Sequence, residues 1–133
     1  MREILFKGKR VDNGKWIEGN LVREDLIIES VIGYDDNDGT VEYISCKRVL
    51  PETVSQFTGF LDENGKKIFE GDILNCTDVY NDEPFKTTVR FKDGGFLVDC
   101  YGCDYDITCI GFLDDEIKLE IVGNIHEELK ETK

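Results

Sequence analysis

The chain has 133 residues, of which 40% are hydrophobic and 11% aromatic, and its formal net charge is −13. This length is typical of one domain, and the apolar content excludes a chain that is disordered throughout. The negative charge disfavours binding to ordinary nucleic acids and to anionic membranes, because it repels their negative charges. We therefore expect a single folded domain over residues 1–133.

The acidic residues are gathered in blocks. Residues 1–23 contain six Lys or Arg and three Asp or Glu, whereas residues 24–46 contain seven acids and no base. Such blocks either keep a protein soluble or form an acidic face that a basic partner recognises. The candidates for partner binding at such a face are Asp35, Asp36, Asp38, Asp114, Asp115 and Glu116.

Four turn signals divide the chain into hairpins: Asn13-Gly14, Asp38-Gly39, Asn64-Gly65 and Asp93-Gly94. Such pairs tolerate the positive φ angles of tight hairpin turns. The intervening segments are rich in β-branched and aromatic residues, and in EIKLEIVGNI the apolar residues at 117, 119 and 121 form one face of a predicted strand. The pattern is typical of antiparallel sheet.

Only two segments favour a helix. PETVSQF is predicted to make one or two turns from Pro51, because proline fits a first helical position. The tail from Asn124, with Glu127 three residues later, resembles a capping box. The predicted fold class is mainly β: a single domain of twisted, hairpin-connected sheet that forms a partial barrel, with one or two short helices.

The phrase NGKWIEGNLV at 13–22 returns as NGKKIFEGDIL at 64–74. Both copies predict a hairpin return strand, with Gly19 and Gly71 at a bulge, a bend or a close approach of two backbones. The alternative is two matched polar sites, which would be formed by Glu18, Asn20, Glu70 and Asp72.

The cysteines favour neither disulfides nor zinc. They are five, an odd number, and MREILFKGKR lacks the apolar core of a signal peptide, so we expect a reducing cytoplasm. Structural zinc sites commonly use two close ligand pairs, whereas only Cys100 and Cys103 form such a pair, with Cys109 nearby. YDDNDGTVEY fails as a calcium loop because Tyr34 and Ser45 would occupy carboxylate positions. We predict no metal and no cofactor, and leave open whether these cysteines bind a metal.

No motif pairs a nucleophile with a base, and His126 is the single histidine. We therefore predict no enzymatic activity, although a strongly perturbed carboxylate or thiol in a deep pocket would favour one. Trp16, the single tryptophan, is expected in the core. It is also a candidate for partner contact, because large aromatic residues are enriched in interfaces.

Three segments resemble the YopX family, small proteins of bacteriophages and prophages: REILFKGKRVDNGKWIEGNLV, QFTGFLDENGKKIFEGDIL and EIVGNIHEEL. The most specific part combines Thr58-Gly59, Asp62, Asn64-Gly65-Lys66 and Glu70-Gly71-Asp72 in order. The chain departs from the family at His126, usually an aromatic residue, and at Glu127-Glu128, which replace an Asn-Pro. The resemblance implies a mainly β fold and a phage or prophage origin, and it supplies no catalytic residues.

We expect a non-enzymatic accessory protein that contacts a host or phage protein in the bacterial cytoplasm, without a membrane. In one alternative the acidic blocks imitate nucleic-acid phosphates and occupy a basic groove of a host defence or replication protein. In another, a small barrel binds nucleic acid through Arg2, Lys7, Lys9, Arg10 and Lys15. Formation of a homo-oligomer is left open.

Overall fold

Antiparallel hairpins dominate the structure. The computed structural model describes residues 2–34, 37–38, 41–78, 81–99, 107–109 and 117–127. These residues form twelve strands: β1 (Phe6–Lys9), β2 (Trp16–Arg23), β3 (Leu26–Tyr34), β4 (Val41–Arg48), β5 (Ser55–Leu61), β6 (Lys67–Phe69), β7 (Asp72–Asp78), β8 (Asn81–Thr88), β9 (Arg90–Lys92), β10 (Gly95–Asp99), β11 (Ile107–Cys109) and β12 (Ile117–Asn124).

The strands form three sheets, with the orders β4-β3-β2-β1-β5-β6, β11-β10-β9 and β12-β7-β8. The predicted mainly β, hairpin-connected fold is confirmed, and the strands in the described ranges close no barrel. The chain divides into two compact units, unit 1 (Met1–Phe57) and unit 2 (Thr58–Lys133). That both belong to one domain stays a prediction.

Three of the predicted turns lie wholly in the described residues, and each joins the strands expected. Gly14, Gly65 and Gly94 have φ angles of 69°, 80° and 81°. Asp93 also has a positive φ, of 54°, so both central residues of its turn have the conformation that fits a tight hairpin. The remaining signal is Asp38-Gly39, and its Gly39 lies outside the described residues. The strands on either side of it, β3 and β4, pair as far as Tyr34↔Val41.

Unit 1 is a curled sheet, because the chain after β4 returns to the end of β1. Arg10 and Val49 form an isolated bridge, and flanking hydrogen bonds of 2.8 and 3.0 Å connect residues 9–11 with residues 48–50. We call this contact the β1–β4 join. The curl encloses a core of Ile17, Ile27 and Val49, with Leu21 and Val54 packed against it. A single bridge joins the curl, which makes it a partial barrel.

The helix predicted from Pro51 is a single 3₁₀ turn, Pro51–Thr53. Thr53 ends it by donating its hydroxyl to the carbonyl of Leu50 (2.7 Å) and accepting the N–H of Lys9 (2.9 Å). Beyond Thr53 the chain becomes β5 because Gln56 pairs with Phe6 of β1, so tertiary pairing shortens the predicted helix. Residues 125–127 are helical, and no helix in the described part of the chain is long and apolar enough to span a membrane.

Unit 2 has its own core. The buried residues are Ile68, Leu74, Cys76, Val89 and Val98. The predicted apolar face of β12 packs against this core through Ile117, Leu119 and Ile121, which confirms the alternation. The register with β7 shifts between Ile121 and Gly123, a bulge that the sequence pattern did not predict.

The two copies of the repeated phrase fold differently. In the first, β2 is continuous through Gly19, and a Cβ there would lie 1.9 Å from the carbonyl oxygen of Ile28, so the glycine permits a close approach of backbones. In the second, the predicted return strand is interrupted after Phe69, and Gly71 turns the chain with a φ of 86°. The N–H of Gly71 donates to the carbonyl oxygen of Val89 at 2.7 Å, and this hydrogen bond holds the bend.

The hypothesis of two matched polar sites is wrong in its geometry. Asp72 of the second copy is buried, whereas its counterpart Asn20 and the neighbouring Glu18 are exposed. The interruption at Gly71 is the physical reason, because it directs the following residue into the interior.

We expect Gly19→Ala to destabilise the protein by about 3 kcal/mol or more, because the added methyl group meets backbone that cannot move aside cheaply. Gly71→Ala should cost about 1–2 kcal/mol through its positive φ alone. Urea unfolding measures both losses. Gly59→Ala is the matched control, because its φ is 92° and its Cβ would meet nothing within 4 Å. Equal losses for Gly19 and Gly71 would contradict this assignment.

Candidate functional site

The carboxylate of Asp62 lies beneath the turn between β5 and β6. Asp62 is buried, with 6% of its surface exposed. One oxygen accepts the N–H groups of Asn64 and Lys66, both at 2.9 Å, and the other accepts the N–H of Ile121 at 3.1 Å. One side chain therefore closes a turn and fastens it to β12.

The pKa of Asp62 reflects two opposed effects. Burial raises it, because a desolvated carboxylate is disfavoured, but the N–H groups of Lys66, Ile121 and Asn64 stabilise the charged form. The balance holds the pKa below its ordinary value of 3.8. The folded state therefore favours the ionised carboxylate.

A second buried pair connects the start of β7 to the end of β12. The side-chain amide of Asn124 donates to Asp72 at 2.9 Å, and the N–H of Phe69 donates to the other oxygen of the same carboxylate at 2.8 Å. The amide oxygen of Asn124 accepts the N–H of His126 at 2.9 Å, which confirms Asn124 as the cap of the tail helix. Both side chains are thus used in holding backbone and each other.

Thr58 completes this set of polar side chains. Its hydroxyl donates to the carbonyl of Ile68 at 2.8 Å and accepts the N–H of Phe60 at 3.2 Å. The polar residues Thr58, Asp62 and Asp72, which carry much of the sequence resemblance, therefore bind main-chain groups. Their role in the structure is to hold turns and strands.

Cys76 is a poor candidate nucleophile. Burial raises the pKa of its thiol to about 11, so the thiol is un-ionised at neutral pH, whereas thiol chemistry requires the thiolate. Cys46 is half-buried and free. Cys100 and Cys103 lie outside the described residues, and for Cys109 only the backbone of β11 is described.

A metal site is not tested by this structure. No group of three or more His, Cys, Asp or Glu side chains in the described part of the chain is placed to hold an ion. Because Cys100 and Cys103 lie outside that part, the prediction that no metal is bound stays a prediction.

Trp16 is half-buried on the first hairpin, and the expectation of a core position is wrong. The register places it opposite Lys9, with Lys7 opposite Glu18. The ammonium nitrogens of Lys7 and Lys9 lie 4.6 and 5.3 Å from the ring centre, within the range of cation–π attraction. The neighbouring Ile17 takes the core position instead, because side chains alternate along a strand. We call Lys7, Lys9, Trp16 and Glu18 the Trp16 face.

A groove of about 200 Å³ lies at the β1–β4 join and is lined by Arg10, Val11, Asp12, Lys47 and Arg48. Arg10 holds Asp12 with a two-pronged ion pair of 2.9 and 2.6 Å. The hydrogen bond between them raises the pKa of Arg10 and lowers the pKa of Asp12. We call this feature the join groove.

A neighbouring carboxylate also contacts a lining residue of the join groove. Asp25 lies 3.5 Å from Arg48 and 2.7 Å from Arg23. The contact with Arg23 is the main cause that lowers the pKa of Asp25.

The acidic candidates are only partly described. Asp38 is exposed in the turn after β3. The remaining candidates lie outside the described residues: Asp35, Asp36, Asp114, Asp115 and Glu116. The acidic face therefore stays a prediction.

Comparison with known proteins decides the family. The family model described as YopX protein matches residues 5–130, nearly the whole chain. The chain belongs to the YopX family. No curated protein matches this YopX-family chain.

Two solved structures resemble this member of the YopX family. The crystal structure of protein EF1440 from Enterococcus faecalis matches with a TM-score of 0.67 and 22% identity, and each chain is covered completely. The X-ray structure of protein yopX from Bacillus subtilis matches with a TM-score of 0.55 and 19% identity over 96% of this chain and 95% of that one. At these identities the similarity shows a shared fold, and a shared fold does not establish an activity.

Two features of this YopX-family chain escaped prediction. Asp62 stands two residues before Asn64-Gly65, a spacing that favours an Asx turn, so its bonds within the turn had a local signal. The hydrogen bond between Asp62 and Ile121 had no local sequence signal, because the two residues are far apart in the sequence. The same holds for the join groove, whose lining residues come from distant positions.

We expect Asp62→Asn to destabilise the protein by about 1–3 kcal/mol at neutral pH, because the amide opposes the N–H of Ile121 with a second donor. A lowered folded pKa contributes stability above the unfolded value, ordinarily 3.8, and loses it as the pH falls through the folded pKa. The difference from wild type should therefore shrink below about pH 4 in urea unfolding.

Glu63→Gln is the matched control, because it removes one carboxylate at an exposed position beside Asp62. This variant should keep the pH dependence of the wild type. A difference between Asp62→Asn and wild type that stays constant down to about pH 2 would show that the charge of Asp62 does not matter.

Proposed function

We propose that the protein is a non-enzymatic phage or prophage accessory protein that binds a protein partner in the bacterial cytoplasm through the Trp16 face. The observation that carries this proposal is the half-exposed Trp16 ring with Lys7 and Lys9 beside it. Covering such a ring removes apolar area from water, and excluding water also strengthens the cation–π attraction. Central aromatic residues of this kind contribute most of the binding energy in many interfaces.

The polar groups in the interior support a non-enzymatic role. Asp62 and Asp72 accept main-chain N–H groups, and the raised pKa of Cys76 keeps its thiol un-ionised. Each group thus has a structural explanation that involves no substrate. The Trp16 ring, in contrast, stays partly accessible beside Lys7 and Lys9, which favours a contact function.

Two other candidates each have one supporting observation. The acidic mimic is favoured by the block of seven acids without a base in residues 24–46, of which Asp38 is exposed. A single-strand nucleic-acid platform is favoured by the Trp16 face, because aromatic rings stack on bases and neighbouring lysines attract the backbone phosphates. The net charge of −13 opposes the latter.

The test is capture of partners from lysate of the bacterial host by tagged wild type, Trp16→Ala and Glu63→Gln. We expect a protein retained by wild type and by Glu63→Gln, the control at an exposed position outside the Trp16 face, to be lost with Trp16→Ala. With that partner purified, Trp16→Ala should weaken binding by roughly 30-fold, as hot-spot residues do. Far-UV circular dichroism and melting curves establish that each variant is folded.

The same experiment separates the candidates. Binding that survives Trp16→Ala contradicts the proposed surface. If that binding is lost when Asp35, Asp36 and Asp38 are all replaced by Asn, and if it weakens steeply with salt, the acidic face is the contact. A short oligothymidine that competes with the partner and depends on Trp16 would favour nucleic acid.

A further inference from the structure

The join groove gathers cations from two parts of unit 1. Arg10 follows β1, whereas Lys47 and Arg48 end β4, and the isolated bridge brings them together. The lining thus has three cations and one acid in a chain whose net charge is −13. Like charges that converge repel one another, so the groove is more favourable with an anion in it.

Asp12 already supplies one anion. Its carboxylate takes both prongs of the Arg10 guanidinium, the geometry in which arginine recognises carboxylates. Its side chain is nevertheless 64% exposed, whereas that of Arg10 is 23% exposed. The two residues are two positions apart on one turn. An incoming carboxylate can therefore replace Asp12 on Arg10 without disturbing any strand.

We propose that the join groove binds a carboxylate side chain from an acidic segment of the partner protein, and that Asp12 occupies the site until that segment arrives. This inference rests on the proposed interaction function and names the chemistry of a second contact. Lys47 lines the groove with Arg10 and Arg48, so its ammonium group can pair with a carboxylate of such a segment. Val11, 55% exposed, offers an apolar wall for the methylene groups of a glutamate.

The dimensions and charges favour an acidic peptide over a nucleic acid. A volume of about 200 Å³ accommodates one or two carboxylates and not a run of phosphates. Asp25 contacts Arg48, and Glu29 attracts Arg10, so these acids leave only a modest local excess of positive charge. A long polyanion would be repelled by the rest of the chain.

The test uses the purified full chain and a hexaglutamate peptide, followed by the NMR shifts of the backbone N–H groups at 10–12 and 47–48. We expect those groups to shift with hexaglutamate and not with hexaglutamine. Asp12→Asn should tighten binding by about threefold, because the internal competitor is removed. Lys47→Gln and Arg48→Gln should each weaken it by about threefold. Arg10→Lys should weaken it as well, because the charge remains but the two-pronged geometry is lost.

Lys118→Gln is the matched control, since it removes one exposed charge that does not line the groove. Binding that changes as much in Lys118→Gln as in Arg48→Gln overturns the site, and tighter binding in Arg48→Gln does so too. Weaker binding in Asp12→Asn overturns its role as competitor. Inorganic phosphate or a short oligothymidine that shifts the same groups at lower concentration than hexaglutamate overturns the acidic-protein ligand.

The two proposals fail separately. Hexaglutamate binding that is unaffected by every groove variant rejects this inference and leaves the Trp16 face untouched. Partner capture that survives Trp16→Ala, with hexaglutamate still binding at the groove, rejects the proposed surface alone.

Discussion

Three main-chain N–H groups converge on the carboxylate of Asp62, and the arrangement of β5, β6 and β12 depends on that convergence. The carboxylate fixes the turn and the position of β12 with one group. The N–H of Glu63 adds a bond of 2.8 Å to the carbonyl of Leu119, so the turn also covers part of the outer edge of β12. Covered edges do not pair with other chains, and the same interaction that builds the fold thereby protects it from aggregation.

Buried carboxylates recur as structural acceptors in unit 2. Asp72 joins Phe69 and Asn124 as Asp62 joins its turn to β12. A buried charge is tolerated when several donors satisfy it, and its loss leaves those donors unpaired. The most specific residues of the YopX resemblance are therefore residues that hold backbone. This explains why family membership specifies the fold of this chain without assigning a function to it.

Local rules predicted the local structure. The turns at Asn13-Gly14, Asn64-Gly65 and Asp93-Gly94, the alternation in β12 and the cap at Asn124 follow from neighbouring residues and are confirmed. Long-range pairing decided the rest. Residues 55–57, at the end of a predicted helix, became strand because β1 lies beside them, and the second repeated phrase broke at Gly71, which Val89 holds in a bend. Of the site, Trp16, Lys7 and Lys9 were each proposed as binding residues from the sequence, but not as one cluster. The join groove arises from positions that no local pattern connects.

The β1–β4 join of unit 1 is held by few backbone hydrogen bonds. β3 and β4 are held by a ladder from Leu26 to Tyr34, whereas the join is a single bridge with two flanking backbone hydrogen bonds. Opening a protein locally costs least where few bonds break, so we expect this join to be among the first parts of the sheet to open. A ligand that contacts both sides of the β1–β4 join raises the free energy needed to open it. A ligand in this one small groove would then make the whole curled sheet of unit 1 more rigid.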